Sequence, residues 1–130
     1  MKIVVTGSSG QVGRAICQRL ARQHRVVGVD RRPSSTTDVV CDLADTAAIR
    51  SALVGADAVI HTAALHAPHV GHEADAEFRR INVEGTRLLA GQAIAVGVSR
   101  FVYTSTTAIY GVLAPPGTAP AAWIDGHTVP

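Results

Sequence analysis

The stretch that decides the fold of this chain lies near its amino terminus and reads Ile3-Val4-Val5-Thr6-Gly7-Ser8-Ser9-Gly10-Gln11-Val12-Gly13. Its first four residues are β-branched and predict a buried strand, and the rest form a glycine-rich turn that leads into a helical pattern. Glycines let the backbone turn sharply, and the first N–H groups of a helix have no partner inside it, so both can face an anion. This order of elements predicts a pyrophosphate site contacted by Gly7, Ser9, Gly10, Gln11, Val12 and Gly13. The spacing is G-x-x-G-x-x-G, which differs from the commonest dinucleotide fingerprint, G-x-G-x-x-G.

Strands and helices alternate along the rest of the chain. We predict strands at 2–6, 25–29, 38–41, 57–60 and 100–104, and helices at 11–23, from Asp45 or Thr46 to Val54, and at 73–96. Such alternation requires right-handed crossovers, and therefore an α/β fold with a doubly wound, parallel, Rossmann-like sheet of strand order 3-2-1-4-5. Ligands bind such a sheet at the carboxyl ends of strands 1 and 4, where the order reverses.

The apolar spacing also predicts which face of two helices is buried. In the first helix the stripe consists of Val12, Ala15, Ile16 and Leu20. In the long helix the recurring positions are Phe78, Ile81, Gly85, Leu88, Gln92 and Val96. Gly55 and Gly97 are expected to end the helices that precede them.

Acidic residues follow the second and third strands. Asp30 lies at the carboxyl end of strand 2, where a carboxylate accepts hydrogen bonds from the adenosine ribose and repels a 2′-phosphate, which favours NAD over NADP. Arg31 leaves NADP open, because an arginine there can bind a 2′-phosphate or stack on adenine. Asp42 could accept from the adenine amino group with Leu43 against the ring, although an aspartate at this place is also a common turn residue.

Small and polar residues follow strand 4 and interrupt the long helix. Thr62, Ala63 and Ala64 leave room for a cofactor to cross the edge of the sheet. Asn82 is either a buried polar group that bridges backbone near the cofactor or a tolerated residue on the helix face.

Composition excludes several classes of function. The chain has 130 residues, 47% hydrophobic residues and a net charge of +2, which indicate one domain without the basic stripe of a nucleic-acid-binding protein. No apolar run is long enough to span a membrane, and the predicted strand at the amino terminus leaves no place for a signal peptide.

Cys17 and Cys41 lie in apolar patterns, so we expect buried thiols and a cytoplasmic protein. His66, His69 and His72 lack the spacing of metal ligands, so no metal site is expected.

The sequence resembles the extended short-chain dehydrogenase/reductase family, specifically its NAD-dependent epimerase/dehydratase branch. The motifs that carry the resemblance occur in family order and cover nearly the whole chain: Thr6–Gly13, Asp30, Asp42-Leu43, His61–Ala64, Asn82–Thr86 and Tyr103–Gly111. The resemblance implies a nucleotide-sugar substrate, a cofactor contact at Thr104, and a catalytic role for Thr106, which would hydrogen-bond the substrate oxygen.

The sequence departs from the family pattern at the catalytic pair. Family enzymes use a Tyr-x-x-x-Lys pair, whereas Lys2 is the only lysine in this chain and Thr107 and Ala114 lie four positions after its two tyrosines. We therefore expect the NAD(P)-binding domain at 1–110, an irregular loop or tail near the active site at 111–130, and neither the sixth strand nor the substrate domain. We expect the exposed sheet edge to lead to a homodimer, to aggregation or to marginal stability. The alternative from another class is a non-catalytic dinucleotide-binding or regulatory module.

Overall fold

Among the residues that the structure describes, five strands form one parallel sheet. The computed structural model describes residues 1–66, 69–106 and 127. The strands are β1 (Lys2–Thr6), β2 (Arg25–Asp30), β3 (Val39–Val40), β4 (Ala58–His61) and β5 (Arg100–Tyr103). Their order is β3-β2-β1-β4-β5, which confirms the predicted topology. In register, Thr6 is paired with Val29 on one side and with His61 on the other, so three strands end at the same edge.

Helices cover both faces of this sheet. They are α1 (Gln11–Leu20), α2 (Thr46–Leu53), α3 (Asp75–Arg79) and α4 (Thr86–Ala95), with a π-helical turn, Arg80–Gly85, between the last two. One buried cluster joins α2 and α4 to the sheet through residues such as Leu53, Leu89 and Val59. A second joins α1 to the opposite face through Cys17. The β-branched side chains of β1 alternate between the two clusters, as expected for a strand covered on both faces.

The predicted buried stripe of α1 is wrong in part. Val12 is 54% exposed and Ala15 is also exposed, whereas Gly13 and Cys17 are buried and Ile16 and Leu20 are partly buried. The reason is steric, because Gly13 must face Gly7: a Cβ on Gly13 would lie 2.1 Å from the Gly7 carbonyl oxygen. That contact fixes the rotation of the helix and leaves Val12 toward solvent at the edge of the sheet.

The long helix predicted at 73–96 is continuous from Asp75 to Ala95 but contains the π-helical turn. A π turn accommodates an additional residue, so the buried positions after it change. The buried residues are Ile81, Gly85, Leu89 and Ala93, whereas the predicted Leu88 is 38% exposed.

Several boundaries also differ from those predicted. The first helix ends at Leu20 instead of 23, and β3 is two residues long. Gly55 and Gly97 follow their helices with φ of 71° and 79°, the conformation expected of a glycine that ends a helix. The segment predicted as an irregular loop or tail, 111–130, lies outside the described residues apart from His127.

Candidate cofactor-binding site

A cleft of about 530 Å³ lies at the carboxyl ends of the strands. It is bounded by the glycine-rich turn, by the ends of β2 and β4, and by the segment after β3. Most of the predicted cofactor-binding residues line it: Gly7, Ser9, Gly10, Gln11, Val12, Gly13, Asp30, Arg31, Asp42, Leu43, Thr62, Ala63 and Ala64. The topology thus brings together residues that are up to 57 positions apart in the sequence, from Gly7 to Ala64.

The glycine-rich turn is held by backbone contacts that leave no space for side chains. Gly7 has a φ of 74°, and its N–H donates to the Val29 carbonyl at 2.9 Å. A Cβ on Gly7 would lie 2.7 Å from both the backbone nitrogen of Ala63 and the hydroxyl of Thr62. Thr62 therefore packs against the turn as well as lining the cleft, and its hydroxyl donates to the Thr6 carbonyl at 2.7 Å.

The first turn of α1 presents free donors to this cleft. The N–H of Gly10 is bonded to the Gly7 carbonyl, and the first helical hydrogen bond runs from Arg14 to Gly10. Within the described part of the chain, no group accepts from the backbone N–H groups of Gln11, Val12 or Gly13. Because all three residues line the cleft, these donors match the needs of an anion such as a pyrophosphate.

The carboxylate of Asp30 lies directly beside the turn. One oxygen accepts from the Ser9 N–H and the other from the Arg32 N–H, each at 2.9 Å. Two backbone donors hold both oxygens in place while leaving each with a further lone pair. The arrangement can accept hydroxyl donors from a sugar next to the anion site.

The loop between β2 and β3 contacts the glycine-rich turn at Ser8, a contact that the sequence patterns did not predict. The Thr36 hydroxyl donates to the Ser8 carbonyl at 2.7 Å, and the hydroxyls of Ser8 and Thr37 are hydrogen-bonded at 2.9 Å. The loop approaches β2 at Gly28, where a Cβ would lie 1.8 Å from the Thr36 carbonyl oxygen. A glycine inside a strand was the available signal, since it often marks such a close backbone approach.

Charged side chains surround the other end of the cleft. Arg80 donates to both oxygens of Asp42 at 2.9 and 3.0 Å, and to both oxygens of Glu77 at 2.7 and 2.8 Å. Its guanidinium lowers the pKa of Asp42 and of Glu77, and the two carboxylates raise the pKa of Arg80. Arg31 approaches Glu77 at 4.0 Å. Asp42 is thus an ionised acceptor in a fixed orientation, two residues after the strand that pairs with the end of β2 at Asp30.

A buried polar chain lies beneath the cleft where β1 and β4 end. His61 is 1% exposed, and its ring nitrogens contact the hydroxyls of Thr6 at 2.5 Å and of Thr86 at 2.8 Å. Thr86 donates its hydroxyl proton to the Asn82 carbonyl, so it accepts from His61 Nε2–H, and His61 Nδ1 accepts from Thr6. Burial lowers the pKa of His61 to about 4, which keeps the ring neutral.

Asn82 bridges backbone, as one of its two predicted roles requires. Its side-chain oxygen accepts from the Leu65 N–H and its amide donates to the Leu65 carbonyl, both at 2.8 Å. Leu65 lines the cleft, so Asn82 fixes the cleft wall from outside.

Three predicted site residues do not line the cleft in the described part of the chain: Asn82, Thr104 and Thr106. Thr104 and Thr106 are exposed and follow β5, and the N–H of Thr104 donates to the His61 carbonyl at 3.1 Å. This bond places Thr104 at the same edge of the sheet as the cleft. The cleft wall also includes residues that were not predicted as binding residues, among them Arg32, Leu65 and Ile81.

The histidine-containing loop contributes to the same wall. His66 and His69 line the cleft. Across residues 1–66, 69–106 and 127, no three His, Cys, Asp or Glu side chains come together in a way that could hold a metal ion. In those same residues no helix combines the length and apolar character that a membrane span needs.

Residues 3–124 match the model of the NAD dependent epimerase/dehydratase family. The chain belongs to this family. It is 35% identical over 119 residues to a 3-beta-hydroxysteroid dehydrogenase of Mycolicibacterium neoaurum, covering 83% of this chain and 32% of that enzyme. Several uncharacterised mycobacterial proteins are 36% identical over 112 residues, which are 82% of this chain but 12% of their length.

Solved structures show the same fold. A short-chain dehydrogenase/reductase superfamily protein from Agrobacterium tumefaciens with bound NAD is 39% identical with a TM-score of 0.75, covering 85% of this chain and 34% of that one. A UDP-glucose 4-epimerase from Stenotrophomonas maltophila with NAD and formylated UDP-arabinopyranose is 27% identical with a TM-score of 0.78, covering 94% and 42%. The chain therefore spans well under half the length of these relatives.

Proposed function

We propose that the cleft binds NAD along the carboxyl edge of the sheet. The pyrophosphate would lie on the free N–H groups of Gln11, Val12 and Gly13, and the adenosine ribose on Asp30. Adenine would lie at Asp42 and Leu43. The nicotinamide half would pass the segment Thr62–Ala64 toward Asn82 and Thr104. The observation that carries the proposal is the Asp30 carboxylate, held 2.9 Å from the Ser9 N–H beside three helix N–H groups that have no acceptor among the described residues.

NAD is preferred to NADP in this proposal because of charge. Both Asp30 oxygens are held at the tip of β2, where a 2′-phosphate would meet the carboxylate. Arg31 is the residue that could compensate, but its guanidinium lies 4.0 Å from Glu77 and is shared with that acid. The NAD bound to the Agrobacterium protein and to the epimerase supports this choice.

Calorimetric titration with NAD and NADP tests the proposal. We expect the chain to bind NAD more tightly than NADP, and the Asp30→Asn variant to lose about tenfold in NAD affinity, as a charge-assisted hydrogen bond implies. That variant should also reduce the preference for NAD. Asp75→Asn, an exposed acid at the start of α3, is the control for net charge and should change neither value. Equal or tighter binding of NADP would contradict the proposal.

We further propose that the chain is the NAD-binding portion of an oxidoreductase of the epimerase/dehydratase type that acts on a nucleotide sugar. The family and the nucleotide sugar bound by the Stenotrophomonas epimerase support this class, while the steroid dehydrogenase shows that relatives of similar identity act on other substrates. Thr106 would hydrogen-bond the substrate oxygen. The pair Tyr-x-x-x-Lys is missing from this sequence, because its only lysine is Lys2.

The proposal predicts binding with little or no turnover by these 130 residues alone. Incubation with NAD and UDP-glucose or UDP-galactose, with NADH absorbance and sugar exchange as readouts, tests it. Turnover near that of complete family enzymes would overturn the claim of incomplete catalysis. The alternative is a non-catalytic dinucleotide-binding or regulatory module. It predicts that the chain binds NAD but no nucleotide sugar. A fusion of this chain, with Thr106 intact, to the remaining part of a related enzyme would then also fail to bind a nucleotide sugar.

Association of two copies is a separate proposal. β5 forms one edge of the described sheet, and Phe101, Val102 and Tyr103 on it are 37%, 53% and 53% exposed. An edge strand with apolar side chains is a template for pairing with another chain. Light scattering after size exclusion should detect a dimer, and a monomer at the concentrations used for calorimetry would contradict it. A cytoplasmic location and the division into 1–110 and 111–130 stay predictions.

A further inference from the structure

We infer that Arg80 is a positioning residue that aims the Asp42 carboxylate at the six-position of adenine and so makes the cleft discriminate adenine from other purines. The inference rests on the proposed function, since it concerns how NAD is held. The juxtaposition that carries it is a single guanidinium, from the π-helical turn, bonded to two carboxylates from different elements.

The geometry of Arg80 is that of a two-sided clamp. Toward the cleft, Nη1 donates to Asp42 Oδ1 at 2.9 Å and Nη2 to Asp42 Oδ2 at 3.0 Å, across 38 positions of sequence. Toward its second partner, Nε and Nη2 donate to the two oxygens of Glu77 at 2.8 and 2.7 Å. The planar, rigid fork of an arginine matches such paired carboxylates, whereas a lysine offers one compact charge.

Asp42 cannot reorient freely under these contacts. Oδ1 accepts both Arg80 and the Ala44 N–H, the latter at 2.9 Å, while Oδ2 accepts only Arg80 among the described residues. Oδ2 therefore keeps a free lone pair. Since Cys41 N–H donates to the Asp30 carbonyl at 3.0 Å, Asp42 lies at the strand end next to the proposed ribose site. A fixed anionic acceptor at this position favours the amino group of adenine and repels a carbonyl oxygen at the same place.

The experiment compares NAD with nicotinamide hypoxanthine dinucleotide, in which a carbonyl oxygen replaces the adenine amino group. Calorimetry on the full chain should show that the natural sequence binds NAD about tenfold more tightly than the hypoxanthine analogue. Arg80→Gln should weaken NAD binding about fivefold, since an ion pair this exposed contributes little more, and should remove most of the preference. A purely structural role for Arg80 would weaken both ligands equally and leave their ratio unchanged.

Three further variants complete the test. Arg79→Gln removes the same charge from the neighbouring exposed residue and should leave both the affinity and the ratio unchanged. Arg80→Lys keeps the charge without the fork and should give an intermediate ratio. Glu77→Gln leaves Arg80 in place but removes the charge of its second partner, and should lower the NAD-to-analogue affinity ratio least. If Arg80→Gln does not fold, the last two variants still decide the matter.

The outcomes separate this inference from the proposed function. An unchanged NAD-to-analogue ratio in Arg80→Gln and Arg80→Lys, with NAD still bound by the natural sequence, would overturn the inference alone. A natural sequence that binds neither dinucleotide would overturn the proposed function and the inference with it.

Discussion

The two ends of the cleft are built in opposite ways. At the glycine-rich turn, backbone packs against backbone and the limits are set by space: Gly7 and Gly13 could not hold a Cβ without collision. At the adenosine end, Asp42, Arg80 and Glu77 form an exposed network in which side-chain charge sets the geometry. One end therefore acts as a rigid template and the other as an adjustable recognition surface. Changes at the first should be costly for folding, and changes at the second should mainly affect ligand preference.

The largest effect should come from Gly13→Ala at the rigid end. The new Cβ would lie 2.1 Å from the Gly7 carbonyl oxygen, and neither backbone segment can move without displacing α1 from the sheet. We expect a loss of about 3–5 kcal/mol in the free energy of unfolding. Chemical denaturation followed by circular dichroism measures it. A variant with unchanged stability would show that the turn is not a rigid template.

Protonation of His61, which lies beneath the glycine-rich turn beside Thr6, should lower the free energy of unfolding at acid pH. Its pKa in the fold, about 4, lies below the ordinary 6.5, so the unfolded chain binds the additional proton between these values. The stabilisation from keeping the ring neutral is complete above pH 6.5 and is lost as the pH falls toward 4, by about 3 kcal/mol. Denaturation midpoints from pH 7 to pH 4 should follow this loss. His61→Asn should be less stable at pH 7 and show a flatter pH dependence; an equally steep profile would contradict the assignment to His61.

Asn82→Ala tests the part of the cleft wall that Leu65 forms. It removes both hydrogen bonds to Leu65 and should cost about 2 kcal/mol, because it leaves the N–H and carbonyl of a buried residue without these partners. Val83→Ala, at a 51% exposed neighbour in the same π-helical turn, is the control. Equal stabilities of the two variants would show that the Asn82 bridge contributes nothing.

The smallest effect is a gain. Gly91 lies inside α4, and no atom of the described residues lies within 4 Å of a Cβ placed there. Gly91→Ala should therefore stabilise the chain by about 0.5–1 kcal/mol through helix propensity. Thermal melting measures it, and the variant also serves as the matched control for Gly13→Ala. A loss of stability would mean that α4 tolerates substitution no better than the glycine-rich turn.

The rigid end could be predicted from the sequence, whereas at the charged end Asp42 could be predicted but its partners could not. Glycines at 7, 10 and 13 directly after a β-branched strand indicate a tight turn into a helix. Asp30 follows at the end of the next strand, so the topology of a parallel sheet is enough to bring it to that turn. The bond between Arg80 and Asp42 joins positions 38 residues apart and depends on a π-helical turn for which the apolar spacing gave no sign. The same turn explains why Leu89, and not Leu88, is buried. Sequence patterns report the period and composition of single elements. A contact such as that between Arg80 and Asp42 depends in addition on the exact rotation of the helix that carries Arg80.

The most direct test of the NAD site is a titration of the ¹⁵N-labelled chain with NAD, followed by amide NMR shifts. We expect the largest changes at the N–H groups of Gln11, Val12 and Gly13, with a second set at Ser9 and Arg32, whose N–H groups donate to Asp30. Changes concentrated on β5, or no changes at a concentration of NAD that saturates related enzymes, would contradict it.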